Sequence, residues 1–415
     1  MTIKQIIFKY LIKSQKFTKT DNIYLATQGS YLTLGNIINT IASFLLAMAF
    51  ARLLPKEIYG DYRYVISIIT IIGIFALPGM DDAVLQAVAN KFDKSFREGL
   101  KEKLKWSILG SLSCLIVGGY FLLLKNNLNL SISFIIAGVF FPIMQSTGLY
   151  LSYLGGKKIF GIQTKYNTLT QVITTLFIII TLFLTNNLII LVLIYFLSYS
   201  TLGIIFLFTS LKKFPPNENN DNKFIIFGKH LSLLYVMSVV SGQIDRILLF
   251  HFLGAAQLAI YSFAILPTSE ASIFLKNIRL LALPKFSARS KEEIKKNLLK
   301  KIYRMTLLMV PLIIIFVIIS PFIYKILFPQ YIESVNLSRL FFIYIIFFPA
   351  SLIPLYFQAQ MMKKELYKFS IVSSFAALLL LIILIPIYGL MGAIIARIIA
   401  QIIAVSLSIF LFRKN

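Results

Sequence analysis

Residues 366–412 have the sequence LYKFSIVSSFAALLLLIILIPIYGLMGAIIARIIAQIIAVSLSIFLF, an apolar run broken in its middle by Pro386 and Gly389. A helix needs about 20 mostly apolar residues to cross a hydrocarbon core about 30 Å thick. Each side of the break is long enough, so the run predicts two membrane-spanning helices, at 366–385 and 390–412. Because its apolar residues are continuous and do not alternate, a membrane β-barrel is excluded.

The rest of the chain has the same character. Its 415 residues are 58% hydrophobic and 14% charged, with a mean hydropathy of +0.83, whereas soluble proteins are about 45–50% apolar and about 25% charged. The excess apolar residues must face lipid, and we predict an all-α polytopic membrane protein with twelve transmembrane helices. The predictions at 64–87 and 259–283 include Pro78-Gly79 and Pro267, which interrupt the apolar runs. The ten further spans are 29–51, 64–87, 105–124, 130–154, 166–184, 188–210, 230–252, 259–283, 302–328 and 334–360.

The basic residues are distributed unevenly between the two predicted sides of the membrane. The chain has 41 Lys and Arg against 16 Asp and Glu, a net charge of +25, which in a soluble protein would suggest a nucleic-acid partner. Lys and Arg are concentrated in the cytoplasmic loops of membrane proteins. With the N-terminus inside, 33 of the 41 fall on the cytoplasmic side, Arg63 and five others fall outside, and Arg246 and Arg397 lie within spans. This predicts cytoplasmic termini and no nucleic-acid partner.

Traces of an internal repeat divide the chain. Leu54-Pro55 after span 1 corresponds to Leu253-Gly254 after span 7, and Lys157-Lys158 corresponds to Lys363-Lys364. A repeat of six spans gives both halves the same orientation, as in transporters built from parallel repeats. The predicted organisation is a cytoplasmic amphipathic segment at 1–28, a six-helix lobe at 29–210, a linker at 211–229 and a second six-helix lobe at 230–415.

Several function classes are excluded. The predicted outer loops are too short to hold a catalytic domain, and no G-x-x-x-x-G-K-[ST] phosphate loop is present. The single cysteine, Cys114, provides neither a disulfide framework nor a metal cluster. We therefore expect a transporter and not an enzyme, without a metal or cofactor.

Four motifs carry a family resemblance. They are Asp245-Arg-Ile-Leu-Leu-Phe-His-Phe-Leu-Gly-Ala-Ala-Gln-Leu-Ala-Ile-Tyr-Ser-Phe-Ala264, Leu54-Pro-Lys-Glu-Ile-Tyr-Gly60, Phe328-Pro-Gln-Tyr-Ile-Glu-Ser-Val335 and Ile385-Pro-Ile-Tyr-Gly-Leu-Met-Gly-Ala393. Because these motifs occur at matching spans, the chain resembles the polysaccharide-unit (O-antigen, Wzx-type) flippases of the multidrug/oligosaccharidyl-lipid/polysaccharide exporter superfamily. The resemblance implies two lobes around a central cavity that opens alternately to either side.

The same resemblance implies a cargo, an undecaprenyl-diphosphate-linked oligosaccharide that moves across the bacterial cytoplasmic membrane for O-antigen or capsule synthesis. A polysaccharide polymerase and a chain-length regulator would be partners beside the membrane lipids. Two alternatives stay open. One is a drug/cation antiporter of the same superfamily, which predicts an acidic cavity. The other is a membrane glycan polymerase or glycosyltransferase, which predicts large outer loops.

Polar residues inside the spans are the candidate site, because ionisable residues in a membrane usually face a cavity or a partner. Guanidinium groups bind phosphate oxygens through paired donors, so a cationic cavity fits a lipid diphosphate. The alternative for Arg246 is an ion pair with Asp245 or Glu270. The predicted cationic residues are Arg246, Arg397, Arg279 and Lys276. The predicted polar lining is Asn36, Asn39, Thr40, Ser43, Ser238, Ser241 and Gln401.

Buried carboxylates could couple transport to H⁺ or Na⁺, since no nucleotide site is present to supply energy. The candidates are Asp245, Glu270, Asp81 and Asp82. For Asp81 and Asp82, which follow Pro78-Gly79, the alternative is a helix end near the cytoplasmic head groups.

Overall fold

The computed structural model describes residues 22–219, 223–287, 291–360 and 362–414, with no side-chain description at 22–29, 273–274, 276–285, 287 and 291. Nearly all of the predicted amphipathic segment at 1–28 therefore lies outside the described residues, as do the side chains of Lys276 and Arg279. Within the described ranges the chain is helical and contains no strand.

The N-terminal half contains six membrane spans, two of which are broken into shorter helices. The second span is interrupted at Leu77-Pro78, where proline disfavours a continuous helix. The fourth span is divided between α5 and α6. The helices are α1 (Asn22–Leu53), α2 (Lys56–Ile72) continued by a 3₁₀ turn at Gly73–Ala76, α3 (Gly79–Ala89), α4 (Lys94–Leu123), α5 (Leu128–Thr147), α6 (Leu149–Gly156), α7 (Phe160–Leu184) and α8 (Leu188–Lys213).

The C-terminal half repeats this pattern with longer helices. Its fourth span is broken, like the fourth span of the N-terminal half, and contains a 3₁₀ segment at Ile343–Ser351 that includes Pro349. The helices are α9 (Phe224–Leu253), α10 (Ala255–Ser287), α11 (Lys291–Leu327), a 3₁₀ turn at Pro329–Tyr331, α12 (Ser334–Phe342), α13 (Leu352–Ala359) and α14 (Lys363–Lys414).

The last helix, α14, contains two spans and reverses direction between them. Gly389 has a φ of 58° and a ψ of −132°, outside the helical region. A Cβ placed on Gly392 would overlap the carbonyl of Leu384, although residues eight apart in a straight helix are about 12 Å from each other. The chain therefore folds back at Gly389, and 366–385 and 390–412 are separate spans, as predicted.

Twelve spans follow from this reversal. Among the described residues, ten segments are long and apolar enough to cross a membrane, and one of them is the whole of α14. Counting its two arms separately and adding the 33-residue α10 gives the predicted twelve transmembrane helices. The exposed surface is correspondingly apolar, with side chains such as Leu184 and Ile116 more than 70% exposed where lipid would cover them.

The prediction for the first outer loop is wrong. A loop of about twelve residues was expected at 52–63, but the chain turns at Leu54-Pro55 and α2 begins at Lys56. Pro55 suits the start of a helix, because its fixed φ and missing N–H cost nothing there. Asp61 and Arg63 therefore lie within the membrane-spanning segment Lys56–Ala76 and not in an outer loop.

The two halves meet mainly through α2 and α3 on one side and α9 and α10 on the other. At the end where α1 joins α2, a Cβ on Gly60 would overlap the backbone of Ala255, and the ring of Tyr59 lies 5.0 Å from that of Phe263. At the opposite end, the backbone N–H of Gly79 donates to the hydroxyl of Ser232 at 3.0 Å. Small residues thus allow close approach of the lobes at both ends.

Candidate functional site

The polar face of α9 is the core of the site. Ser238, Ser241, Gly242 and Asp245 recur at helical spacing on this helix. Both serine hydroxyls donate to backbone carbonyls one turn earlier, Ser238 to Tyr235 at 2.9 Å and Ser241 to Ser238 at 3.2 Å. A Cβ on Gly242 would meet no atom within 4 Å. The face therefore offers hydroxyl oxygens beside open space, with Ser241 buried and Ser238 exposed.

Asp245 is saturated by neighbouring donors. Its side chain is 2% exposed and accepts from Arg397 Nε at 3.1 Å and Arg397 Nη2 at 2.8 Å. The hydroxyl of Tyr261 donates to it at 2.6 Å, and the backbone N–H of Arg246 donates at 2.9 Å. The ion pair of Asp245 is thus with Arg397, and its lone pairs are largely occupied.

Arg246 has no carboxylate partner among the described residues. Its Nη1 donates to the side-chain oxygen of Gln243, and its buried Nε has no hydrogen-bond partner. A buried donor without a partner is costly, so the guanidinium is poised for an acceptor that a ligand would supply. The ion pair with Glu270, one of the alternatives left open by the sequence, is not formed.

Arg63 is a functional candidate that sequence reasoning missed. It projects from α2 close enough to Arg246 for their charges to repel each other, and its own Nε is buried without a partner. Tyr62 and Tyr195 lie beside it, with their rings 6.3 Å apart. The one signal in the sequence that could have identified it is Pro55, which favours the start of a helix directly after it. A helix that starts there places Arg63 in the span and not in the loop.

The three arginines and one aspartate form a connected cationic group across both lobes. Arg63, Arg246 and Arg397 carry three positive charges against the single negative charge of Asp245, a formal net charge of +2. Gln171, which accepts from the hydroxyl of Tyr199 at 2.7 Å, adds a polar group in the N-terminal lobe. We refer to Arg63, Arg246, Arg397 and Asp245 as the cationic cluster.

The predicted lining on α1 stays half-buried. Asn36, Asn39, Thr40 and Ser43 are all partly exposed, while the neighbouring Gly35 packs against Thr164 of α7. The side-chain oxygen of Asn39 is buried without a hydrogen-bond partner. This stripe therefore lies beside the α1–α7 contact, and Asn39 retains an oxygen that can accept a hydrogen bond.

The predicted coupling carboxylates differ in their surroundings. Glu270 on α10 has a buried Oε2 without a hydrogen-bond partner among the described residues. Asp81 pairs with the buried Lys103 at 2.7 Å, and Asp82 accepts from the hydroxyl of Tyr235 on α9. Asp81 and Asp82 thus lie in the first turn of α3 at the lobe boundary, whereas Glu270 has a carboxylate oxygen left for an ion.

Gln401 lies deeper in the C-terminal lobe. Its side-chain oxygen accepts from the hydroxyl of Tyr344 at 2.8 Å. Together with Arg397 and Ser241 it lines a cavity of about 160 Å³ between α9, the 3₁₀ segment Ile343–Ser351 and the two arms of α14. Arg397 and Gln401, which the sequence places on one face of the last span, therefore line the same cavity as Ser241 of α9.

A family model described as "Polysaccharide biosynthesis protein" matches residues 25–288. A search of curated protein sequences found no match. The family match begins within α1 and ends just after α10, so it includes the α2 and α9 segments that carry Arg63, Asp245 and Arg246.

Solved structures share the fold at low identity. A multidrug resistance MATE family transporter of the MOP superfamily, in an outward-facing conformation, gives a TM-score of 0.65 at 13% identity, with 93% of this chain and 94% of that chain covered. The lipid II flippase MurJ, in an inward closed conformation, gives 0.60 at 16% identity, with 91% and 86% covered. A MOP superfamily transporter from Pyrococcus furiosus, described as having a binding pocket of reverse polarity, gives 0.58 at 13% identity, with 93% and 94% covered.

Proposed function

Because this chain belongs to the polysaccharide biosynthesis protein family, we propose that it is a flippase that moves a lipid-linked oligosaccharide from one leaflet of the membrane to the other. The observation that carries the proposal is the pair of guanidinium groups, Arg63 and Arg246, whose buried Nε atoms find no acceptor among the described residues. They lie between the two lobes of a fold shared with transporters. Such donors need an anionic group with several oxygens, and a diphosphate provides one.

The cargo is proposed to be undecaprenyl-diphosphate-linked oligosaccharide. The diphosphate would bind Arg63 and Arg246, one from each lobe, while the prenyl chain remains in lipid. The oligosaccharide needs partners that both donate and accept hydrogen bonds. Asn39 and Gln171 in the N-terminal lobe and Ser241 in the C-terminal lobe are suitable candidates. Cargo that contacts both lobes would bind more tightly to the conformation in which Arg63 and Arg246 are close. Such a difference in affinity between conformations is what alternating access requires.

The drug/cation antiporter is the second candidate function, since a MATE family transporter has the same fold. A binding site for cationic drugs should present uncompensated carboxylates. Here Asp245 is neutralised by Arg397, and the cationic cluster carries a formal net charge of +2. The charge of this site favours an anionic cargo.

A membrane polymerase or glycosyltransferase is disfavoured by the connections at the predicted outer face. The described helices are joined there by short segments, at 54–55, 124–127, 185–187, 254 and 328–333. Such connections leave no room for a sugar-donor domain. The proposed partners in synthesis are a separate polysaccharide polymerase and a chain-length regulator, in the bacterial cytoplasmic membrane.

Proton or sodium coupling would use Glu270, whose buried oxygen is without a partner. Asp245 is the weaker candidate in this conformation, because Arg397 and Tyr261 already donate to it. A coupling ion at Asp245 would have to displace the guanidinium of Arg397.

The experiment is flipping of undecaprenyl-diphosphate-linked oligosaccharide in proteoliposomes, with export of surface polysaccharide in the host as the second readout. R246Q and R63Q should each abolish most of the activity at equal expression, while R413Q, at an exposed position near the C-terminus, should leave it intact. Deletion should accumulate lipid-linked precursor. Unchanged flipping by both R246Q and R63Q would overturn the proposal.

A further inference from the structure

The C-terminal lobe contains two adjoining, partly open cavities that are lined by its own helices. One, of about 160 Å³, extends from Arg397 and Ser241 to Gln401. The other, of about 190 Å³, continues from Gln401 toward Ser351 and Ser408. Phe369 and Gln401 line both, so the two adjoin, and we call the pair the lobe cavity.

The lobe cavity has hydrogen-bond donors whose positions are fixed by other contacts. Arg397 uses Nε and Nη2 on Asp245, and its Nη1 has no protein partner among the described residues. Gln401 accepts from Tyr344 through its oxygen, which orients the two N–H donors of its amide elsewhere. Two fixed donors therefore serve the cavity without losing their orientation when a ligand leaves.

Acceptors complement these donors. Ser373 donates its proton to the carbonyl of Phe369 at 2.6 Å, and Ser241 donates to that of Ser238. Each hydroxyl oxygen keeps lone pairs free to accept. The buried hydroxyl of Ser351 has no partner. A ligand that both donates and accepts is therefore matched better than one that only accepts.

Phe369 adds an aromatic surface to this polar wall. A ligand with several hydroxyl groups and an apolar face would use both features, and a sugar ring has this combination. An acyl chain would leave the donors of Arg397 and Gln401 unpaired, which is costly in a membrane interior. A multivalent anion is disfavoured because the charge of Arg397 is already balanced by Asp245.

Size and location agree with one sugar ring. The part beside Arg397 has a volume of about 160 Å³, roughly five water molecules at about 30 Å³ each, which suits one sugar ring, and the adjoining part of about 190 Å³ is of similar size. Arg397 contacts Asp245, and Asp245 precedes Arg246 in the chain. A ring in the lobe cavity would therefore lie close to the arginine assigned to the diphosphate.

We propose that the lobe cavity binds one sugar ring of the lipid-linked cargo, through Arg397, Gln401 and Phe369, as a subsite separate from the diphosphate site. This inference rests on the proposed function. It makes the C-terminal lobe a determinant of which glycan is accepted, while Arg63 and Arg246 hold the part of the cargo that is common to all such lipids.

The test measures binding of two kinds of probe to the purified full chain by native mass spectrometry. One is undecaprenyl diphosphate without sugar, and the other is a panel of undecaprenyl-diphosphate-linked hexoses and N-acetylhexosamines. We expect at least one sugar-bearing lipid to bind several-fold more tightly than the bare diphosphate. F369L and Q401L should remove that advantage while the affinity for the bare lipid stays the same. F410L, at a lipid-facing position on the same helix α14, should retain it.

The failures of the two proposals give different results. Equal binding of bare and sugar-bearing lipids, or an advantage that survives both F369L and Q401L, overturns the sugar subsite and leaves the flippase function standing. Binding of neither lipid overturns both. R246Q provides the complementary pattern, since it should weaken bare and sugar-bearing lipids alike. Q401L keeps the test valid if F369L fails to fold, because the residues lie on different arms of α14.

Discussion

Arg397 donates from Nε and Nη2 to a single carboxylate oxygen of Asp245, 152 residues away in the sequence, at 3.1 and 2.8 Å. Asp245 is 2% exposed and Arg397 20% exposed, so the pair is shielded from bulk water. It joins the second arm of α14 to α9 within the C-terminal lobe. The same contact holds one wall of the lobe cavity beside the cationic cluster.

Breaking this pair on one side should destabilise the protein strongly. Removing one partner of a buried ion pair leaves an uncompensated charge, which typically costs about 3–5 kcal/mol. R397Q and D245N should each lower the thermal unfolding midpoint in detergent, and the double variant D245N/R397Q should recover much of the loss. A double variant whose destabilisation equals the sum of the two single effects would show that the pair is not coupled.

The sequence could predict that Asp245 and Arg397 lie within membrane spans but not that they pair with each other. Spacing along α9 places Asp245 on a polar face, and Arg246 is its neighbour in the chain, so an Asp245–Arg246 pair was a natural alternative. Adjacent residues on a helix point in different directions, and the true partner is on another helix. Arg63 was missed for a related reason, because only packing of α2 against the other lobe brings this polar helix start close to Arg246.

The twelve spans were predictable because length and apolar character decide them. The run 366–412 shows this, since its two halves are each long enough to span and Gly389 provides the reversal. The start of α2 was not predictable by the same criterion. Lys56, Glu57 and Asp61 make that stretch polar, and tertiary contacts such as Tyr59 with Phe263 extend the helix beyond the apolar run.

Glu270 should determine the response of transport to an ion gradient. Its buried Oε2 has no partner among the described side chains, and we propose that it takes a proton or a sodium ion. A gradient of one pH unit supplies about 1.4 kcal/mol per proton. For one proton per cargo, this changes the ratio of cargo between the two leaflets by at most about tenfold. E270Q should flip cargo at a rate that no longer depends on the pH or sodium gradient across proteoliposomes.

The matched control is E57Q, at an exposed position near the start of α2. It should retain the gradient dependence of the wild type. A wild-type protein indifferent to both gradients would reject coupling altogether, and an E270Q variant with full gradient dependence would move the coupling site elsewhere.

The linker after α8 should lose order when its anchor is removed. Asp93 accepts from the backbone N–H of Asn217 at 3.2 Å and pairs with Lys157 at 2.8 Å. D93N should increase hydrogen exchange at 214–219. E218Q is the control, because Glu218 is 71% exposed and exposed ion pairs contribute about 0–1 kcal/mol. Equal exchange in the two variants would argue against Asp93 as the anchor.

This anchor should not depend on pH near neutrality. Burial acts to lower the pKa of Lys157, but its hydrogen bonds with Asp93 and Tyr153 outweigh burial and leave that pKa raised. A raised folded-state pKa means that the contribution is complete below the unfolded value of about 10.4 and is lost only as pH rises through the folded value. Exchange protection at 214–219 should therefore be the same at pH 7 and pH 9, after correction for intrinsic exchange, and loss of protection at pH 9 would contradict this assignment.

Gly60 should control how closely the lobes approach at the α1–α2 end. Alanine is intrinsically more favourable than glycine in a helix by about 1 kcal/mol, so G60A would stabilise α2 if space were available. The added Cβ would instead meet the backbone of Ala255, which cannot move as a flexible side chain can. We expect G60A to separate the lobes at this end and to reduce flipping.

The readout is cross-linking between K56C and E333C in a Cys114→Ala background, because Lys56 and Glu333 form a 2.8 Å salt bridge across this junction. G60A should lower the yield with a short thiol-reactive linker. G119A is the control, since a Cβ at Gly119 meets nothing within 4 Å, and it should leave yield and flipping unchanged. If the lobes must separate here during transport, cross-linking itself should stop flipping. Continued flipping by the cross-linked protein would show that this junction stays closed throughout the cycle.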